Sequence, residues 1–155
     1  MIPVQELLDA AGKYFKKLMK NRPERIELEI ESMEAKVIGD VNQLRFLLEN
    51  LIDEALTVRE DGVIRLQARK DNEYIRFLFT DTRREKSVEE LNQLFYPNLA
   101  RMTSGEKGEL RGTEYLVCKQ IIRDHDEFAG RRGCRINAEP AEGGGFTVYF
   151  TIPRR

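Results

Sequence analysis

The chain has 155 residues, 41% of them hydrophobic, and its 26 Lys and Arg residues nearly balance 27 Asp and Glu residues. This length predicts one domain whose core hides roughly 68–70% of the unfolded surface. The net charge of −1 excludes a strongly basic protein that binds nucleic acid by bulk charge. No apolar run is long enough for a membrane span or a signal peptide, and two cysteines without metal-ligand spacing fit a reduced, cytoplasmic setting.

The first third of the chain predicts a helix, two strands and a second helix. Apolar residues recur at helical spacing over residues 4–20, and strict alternation over residues 25–31 predicts a strand. A short strand is expected at residues 35–38. Asp40 then has the side chain of a good N-cap, and the broad apolar stripe behind it predicts a helix to about residue 58.

The rest of the chain predicts a hairpin, two helices, a long loop and two closing strands. The predicted bounds are residues 63–69 and 74–80 for the hairpin, 88–95 and 113–125 for the helices, 97–112 for the loop, and 135–139 and 146–152 for the strands. A loop of this length is usually functional. The mixed order of elements predicts an α+β fold with one mixed sheet and helices packed on one face.

Five segments follow one another in a familiar order. They are VIGDVNQLRFLLENLIDEAL (37–56), YIRFLFTD (74–81), SVEELNQLFYP (87–97), GTEYLVCKQIIRDH (112–125) and INAEPAEGGGFTVYFTIP (136–153). Together they resemble the N-box, first glycine box, phenylalanine box, second glycine box and closing hairpin of sensor histidine kinases. The chain is similar to their ATP-binding domain, whose fold is shared with gyrase-type, chaperone and mismatch-repair ATPases.

This resemblance implies a two-layer α/β sandwich (the Bergerat fold) with a mostly antiparallel mixed sheet. Residues 1–24 would be an N-terminal helix and linker, and residues 25–155 the ATPase-like domain. Residues 98–111 would form a mobile lid over ATP and Mg²⁺.

The resemblance also implies site residues. Asp81 stands where the family's aspartate accepts from the amino group of adenine, although taken alone it is equally a turn residue. Glu54 stands where an asparagine holds Mg²⁺ and is the candidate metal ligand, while Asn50 matches another N-box asparagine. The remaining implied contacts are Gly108, Gly112 and Glu114.

The chemistry of the boxes departs from the family pattern. Both glycines after Asp81 are replaced, since the sequence continues Thr-Arg-Arg-Glu, and Glu114 stands where the second box has its last glycine. Glycine lets the backbone approach a phosphate, and a carboxylate in the first turn of a helix takes the favourable position of an anion. Arg83, Arg84, Lys107 and Arg111 are alternative sources of positive charge, or surface charges only.

These departures favour a degenerate domain of a two-component sensor kinase, with weak or no ATP binding and a regulatory role. Its partners would be a helical dimerisation and phosphoacceptor domain and proteins of the response-regulator pathway, with no nucleic acid and no membrane contact. Two alternatives remain: an active kinase domain that phosphorylates a histidine on a separate helical domain, and an anti-sigma-factor-type kinase.

Overall fold

The computed structural model describes residues 1–97, 113–130 and 133–155. Its helices are α1 (Val4–Met19), α2 (Val41–Ala55), α3 (Val88–Gln93) and α4 (Glu114–Ala129). Its strands are β1 (Ile2–Pro3), β2 (Ile26–Ile30), β3 (Lys36–Val37), β4 (Gly62–Asp71), β5 (Tyr74–Asp81), β6 (Ile136–Pro140) and β7 (Phe146–Pro153). None of the helices among these residues is long and apolar enough to span a membrane.

Five strands form the main sheet in the order β2-β4-β5-β7-β6, and β1 pairs with β3 beside it. Strand β2 runs parallel to β4, while every other neighbouring pair is antiparallel. The two-residue turn at Asn72 has the positive φ of 55° that a tight hairpin requires. The predicted α+β class, with a mixed, mostly antiparallel sheet and helices on one face, is confirmed.

A single core lies between the sheet and the helices. Phe77 of β5 stacks on Phe150 of β7, with ring centroids 4.8 Å apart, and helix α2 contributes a row of buried leucines. Leu7 and Leu8 of α1 are buried in the same core. Each such side chain contributes about 1.5–3 kcal/mol of burial free energy, so α1 is bound to the sheet by the same packing as α2.

Helix α4 ends later than the sequence pattern indicates. It continues to Ala129 and stops at Gly130, whose φ of 61° is the left-handed conformation common after a helix. The predicted end at residue 125 was too early. The polar residues Asp126 and Glu127 follow and interrupt the apolar pattern, although the helix continues through them and His125 itself is buried. The predicted lid and most of the predicted loop, residues 98–112, lie outside the described residues.

The edge of the sheet that carries the candidate site is formed where β5 ends and β7 begins. Asp81, the last residue of β5, is the register partner of Phe146, the first residue of β7. Gly145, with a φ of 86°, comes just before, and a Cβ there would collide with the backbone of Asp81 and Thr82. Only glycine therefore lets the turn before β7 pass so close to the end of β5.

Candidate functional site

Asp81 is a buried carboxylate at the end of a central strand. The alternation of β5 places it on the same face as Ile75, Phe77 and Phe79, which is the core face of the sheet. The residue is 1% exposed. An ionised carboxylate at such a position requires hydrogen-bonding partners.

Those partners come from Arg83, two residues later. The Oδ1 atom of Asp81 accepts from the backbone N–H of Arg83 and from its Nε, both at 3.0 Å. The Oδ2 atom accepts from Nη2 at 2.9 Å. The side chains are only 1% and 2% exposed, so this is a buried bidentate ion pair, the strongest common form of charge-assisted hydrogen bonding.

The same guanidinium group also binds the end of helix α2. Nη2 donates to Ala55 O at 2.6 Å, and Nη1 donates to Val58 O and Glu60 O, both at 3.0 Å. The last carbonyl groups of a helix lack partners within the helix and form its negative end. Helix α2 has no basic residue in its own last turn. Arg83 supplies that cation from another part of the chain.

Gly62, the first residue of β4, makes room for the Arg83 side chain. Its φ is +144°, and a Cβ at this position would lie 2.6 Å from Cγ of Arg83. A side chain at position 62 would therefore displace the arginine stem from its place.

Arg84 lies beside this pair but is bound differently. Its Nε is 3.8 Å from Oδ2 of Asp81, and its guanidinium carbon is 5.9 Å from the centroid of the Phe146 ring. Nε and Nη2 are both buried and find no hydrogen-bond partner among the described residues. The side chain as a whole is 22% exposed, so part of the group faces outward.

Glu54 of α2 and Tyr115 of α4 face the same region. Burial raises the pKa of the Tyr115 hydroxyl first of all, and the negative charge of Glu54 raises it further, while the positive charge of Arg84 opposes the rise. Asp81 adds a smaller effect in the same direction as Glu54. The charges of Glu54, Asp81 and Arg84 thus all act on the pKa of one hydroxyl group.

Asn50 makes a contact within its own helix. Its amide Nδ2 donates to Phe46 O at 2.8 Å, four residues earlier, and the residue is 7% exposed. This back-bond occupies a donor, so the described contacts of Asn50 account for its burial without a ligand.

The N-terminus of α4 carries a carboxylate. Thr113 precedes it without a side-chain cap, and Glu114 is the acidic residue of the first turn. The Oε2 atom of Glu114 is buried and lacks a hydrogen-bond partner among the described residues. Burial is the main cause that raises the pKa of the Cys118 thiol, and the negative charge of Glu114 is the second. The Glu114 carboxylate therefore acts on the inner face of the helix.

Two features of the described residues bear on a fit to ATP and Mg²⁺ at this place. Both carboxylate oxygens of Asp81 accept from Arg83, so an adenine amino group would compete with a buried guanidinium group for this acceptor. Over residues 1–97, 113–130 and 133–155, no group of three or more His, Cys, Asp or Glu side chains could hold a metal ion. Glu54 would be a single protein ligand of Mg²⁺, and waters and phosphate oxygens supply the rest of the octahedral shell in nucleotide sites.

Of the predicted site residues, Glu54 and Asp81 both raise the pKa of the Tyr115 hydroxyl, and Glu114 begins the same helix as Tyr115. Gly108 and Gly112 lie outside the described residues. Sequence reasoning missed Arg83 as a partner of Asp81, because it interpreted position 83 as a lost glycine of a ligand loop. The only local signal was an arginine two residues after a strand-end aspartate.

A family model described as "Histidine kinase-, DNA gyrase B-, and HSP90-like ATPase" matches residues 39–155 of this chain. The matched segment contains α2, both long hairpins and the Asp81–Arg83 pair. Among curated protein sequences, none matches the chain.

Solved structures with the same fold include histidine kinase domains. The mycobacterial sensor histidine kinase MprB is 18% identical, with a TM-score of 0.75 over 99% of this chain and 96% of that one. A nucleotide-free catalytic domain of histidine kinase ThkA is 21% identical, with a TM-score of 0.76 over 99% and 93%. ThkA in complex with response regulator protein TrrA is 19% identical, with a TM-score of 0.71 over 99% and 41%. At these identities the likeness establishes the fold.

Proposed function

The chain belongs to the family of histidine kinase-, DNA gyrase B-, and HSP90-like ATPases, and from this membership we propose that it is the ATPase-like domain of a two-component sensor histidine kinase with a degenerate ATP site. In this proposal the domain binds ATP weakly or not at all. Its work is regulatory: it docks on a helical phosphoacceptor domain or on a protein of the response-regulator pathway, in the cytoplasm.

One observation carries the degenerate part of this proposal. The carboxylate that the family resemblance assigns to adenine accepts three hydrogen bonds from Arg83, and both partners are buried. A nucleotide at Asp81 would have to displace a bidentate ion pair and leave a buried guanidinium group without its carboxylate. Such a loss is strongly unfavourable, since an uncompensated buried charge costs several kcal/mol.

The phosphate side supports the same proposal. Glu114 places a negative charge in the first turn of α4, where the family uses bare N–H groups at a helix N-terminus. A carboxylate at this end satisfies the helix dipole that an ATP phosphate would otherwise satisfy. The Glu114 carboxylate therefore stabilises the domain without nucleotide and would repel the phosphates of ATP.

The docking role rests on the fold and on what one similar structure contains. ThkA, which has the same fold, is recorded in complex with response regulator protein TrrA. In this proposal the domain docks on a partner of that kind through its retained fold. The two buried cysteine thiols are compatible with the cytoplasmic location in the proposal.

A second candidate function is that of an active kinase domain with a rebuilt phosphate site. The buried Nε and Nη2 atoms of Arg84, which lack hydrogen-bond partners among the described residues, favour it. An arginine with unused donors binds phosphate well when it is aimed at one.

A calorimetric titration with ATP, with and without Mg²⁺, separates the two candidates. The degenerate domain gives at most weak binding that does not saturate at millimolar ATP in either buffer. Binding that depends on Mg²⁺ would support the active kinase, and phosphotransfer to a helical partner domain would then be the next assay.

A Glu114→Gly variant tests the phosphate side in the same experiment. Removing the carboxylate should improve ATP affinity by about two- to fivefold, which corresponds to the usual effect of one charge at a helix end. Glu6→Gly is the matched control, because Glu6 is an exposed acid in the first turn of α1, away from the site. Equal affinities of the two variants would count against the proposed role of Glu114.

A further inference from the structure

Arg83 uses every N–H of its guanidinium group. An arginine side chain has five such donors in a fixed plane. Nε and one N–H of Nη2 bind the carboxylate of Asp81, the other N–H of Nη2 binds Ala55 O, and the two N–H groups of Nη1 bind Val58 O and Glu60 O. The distances run from 2.6 to 3.0 Å.

The hydrogen-bond partners of this group are all acceptors. Two are carboxylate oxygens at the end of β5, and three are carbonyl oxygens at and after the end of α2. A planar cation that carries N–H groups on all of its edges satisfies such a site completely. Adenine does not, because its amino group stands beside the acceptor atom N7.

The site is also closed around the arginine stem. The Arg83 side chain is 1% exposed, and the missing side chain at Gly62 is what leaves space for Cγ. The Arg83 guanidinium group joins two segments that are far apart in the chain, the end of α2 and the end of β5. A guanidinium ion therefore has a shaped, charged place in the fold that is independent of the rest of the side chain.

We propose that the Arg83 guanidinium group is a resident ligand, and that the place it occupies is a binding site for guanidinium-type planar cations. This inference deepens the proposed function and rests on it in one respect. Because the resemblance assigns Asp81 to adenine, the guanidinium group bound to Asp81 would compete with nucleotide. The acceptor site itself stands on the hydrogen bonds alone.

Chemical rescue tests the site directly. The Arg83→Ala variant keeps the backbone N–H that binds Asp81 and removes the guanidinium group. Its thermal midpoint should lie well below that of the wild type, and guanidinium chloride at low millimolar concentration should raise it. At ten times the dissociation constant, the ratio of folded to unfolded variant rises about elevenfold.

Three controls make this result specific. Methylammonium chloride at equal concentration supplies a cation that is not planar and should give no rescue. The wild-type chain should not respond to guanidinium at these concentrations, because its site is filled. Arg65→Ala removes an exposed arginine that pairs with Glu29 at 3.1 Å, and it should neither lose much stability nor respond to guanidinium.

Wild-type chain also gives a readout if Arg83→Ala does not fold. The Nε proton of Arg83, bound to a buried carboxylate, should exchange with solvent at least tenfold more slowly than that of Arg65, whose side chain is 47% exposed. Equal exchange rates, rescue by methylammonium as strong as by guanidinium, or a folded variant without any rescue would each overturn the proposal.

A titration of both chains with ATP keeps the two proposals apart. Guanidinium rescue together with ATP binding to the wild type would contradict the degenerate ATP site and leave the cation site intact. If guanidinium does not rescue Arg83→Ala and the wild type binds no ATP, the cation site is contradicted and the degenerate ATP site is not.

Discussion

The two ends of helix α2 are held by different means. At its N-terminal end, the side chain of Asp40 accepts from Gln43 N at 3.0 Å, and the backbone N–H of Asp40 donates to Nε2 of His125 at 3.0 Å. At its C-terminal end, a buried guanidinium group from the loop after β5 binds Ala55 O and Val58 O. The first end is held by an aspartate cap and a histidine ring, the second by a guanidinium cation from the loop after β5.

The comparison indicates where a domain of this fold can give up a ligand site and still remain folded. The end of α2 near His125 depends on a cap that any helix can use. The end near Asp81 lies where the family resemblance expects nucleotide, and there Arg83 joins α2 to β5. The domain can therefore be complete in the absence of ATP, because the polar groups at this end already have partners.

The largest expected effect comes from breaking the charged end. Asp81→Asn leaves the buried Arg83 without its carboxylate, and this should cost about 3–5 kcal/mol of the free energy of unfolding. Urea denaturation measures the loss. Glu29→Gln is the matched control, since it breaks an exposed pair with Arg65 and should cost less than about 1 kcal/mol. A loss as small as that of the control would show that the Asp81–Arg83 pair contributes no more than an exposed ion pair.

His125→Ala should have the next largest effect, at the N-terminal end. The Nε2 atom accepts from Asp40 N, so the ring carries its proton on Nδ1 and donates it to Ile121 O at 2.8 Å. Removing the ring takes the partner of the Asp40 backbone N–H away, at about 0.5–1.5 kcal/mol, and empties the buried place of the ring, while Ile121 O keeps the backbone N–H of residue 125 within α4. The same denaturation experiment checks it, with Asp124→Ala, on the exposed side of α4, as the control. Unchanged stability would mean that water replaces both contacts.

Asp40→Ala isolates the cap from the histidine contact. The backbone N–H of residue 40 remains, and only the side-chain bond to Gln43 N is lost. The cost should be about 1 kcal/mol, as for other N-caps. Asp40→Asn, which keeps a capping oxygen, should lose much less; equal losses would show that charge rather than capping matters here.

The smallest expected effect concerns the attachment of α2 to α1. Burial and the hydrogen bond to Asp53, at 2.6 Å, raise the pKa of the Tyr14 hydroxyl. A raised pKa means that the folded state favours the neutral phenol, so this contribution to stability is complete below about pH 10 and is lost as the pH rises above it. The stability advantage of wild type over Tyr14→Phe should therefore shrink in alkaline buffer. A constant difference across that range would contradict the contact.

The sequence allowed the short-range features of this molecule to be predicted, and the reason is physical. Asp40 as an N-cap and Ser87 as a cap of α3 act on residues three positions away, and both were found where the pattern indicated them. The hairpin at Asn72 and the buried face of β7 follow from local turn chemistry and from alternation.

The contacts of Arg83 could not be predicted in the same way. Its carbonyl partners at Ala55 and Val58 lie 28 and 25 residues earlier in the chain, and nothing in the local pattern brings them to the end of β5. The same limit applies to His125, whose partner at Asp40 lies 85 residues away. Both residues became interpretable only when the packing of α2 against its neighbours was known.

The most direct test of the closed site follows the Arg83 Nε proton of the wild-type chain by NMR while ATP and Mg²⁺ are added to millimolar concentration. We expect its chemical shift and its slow exchange to stay unchanged, because the guanidinium group remains on Asp81. Loss of protection or a saturating shift of this proton on addition of ATP would contradict the closed site, since it would show that nucleotide displaces the resident group.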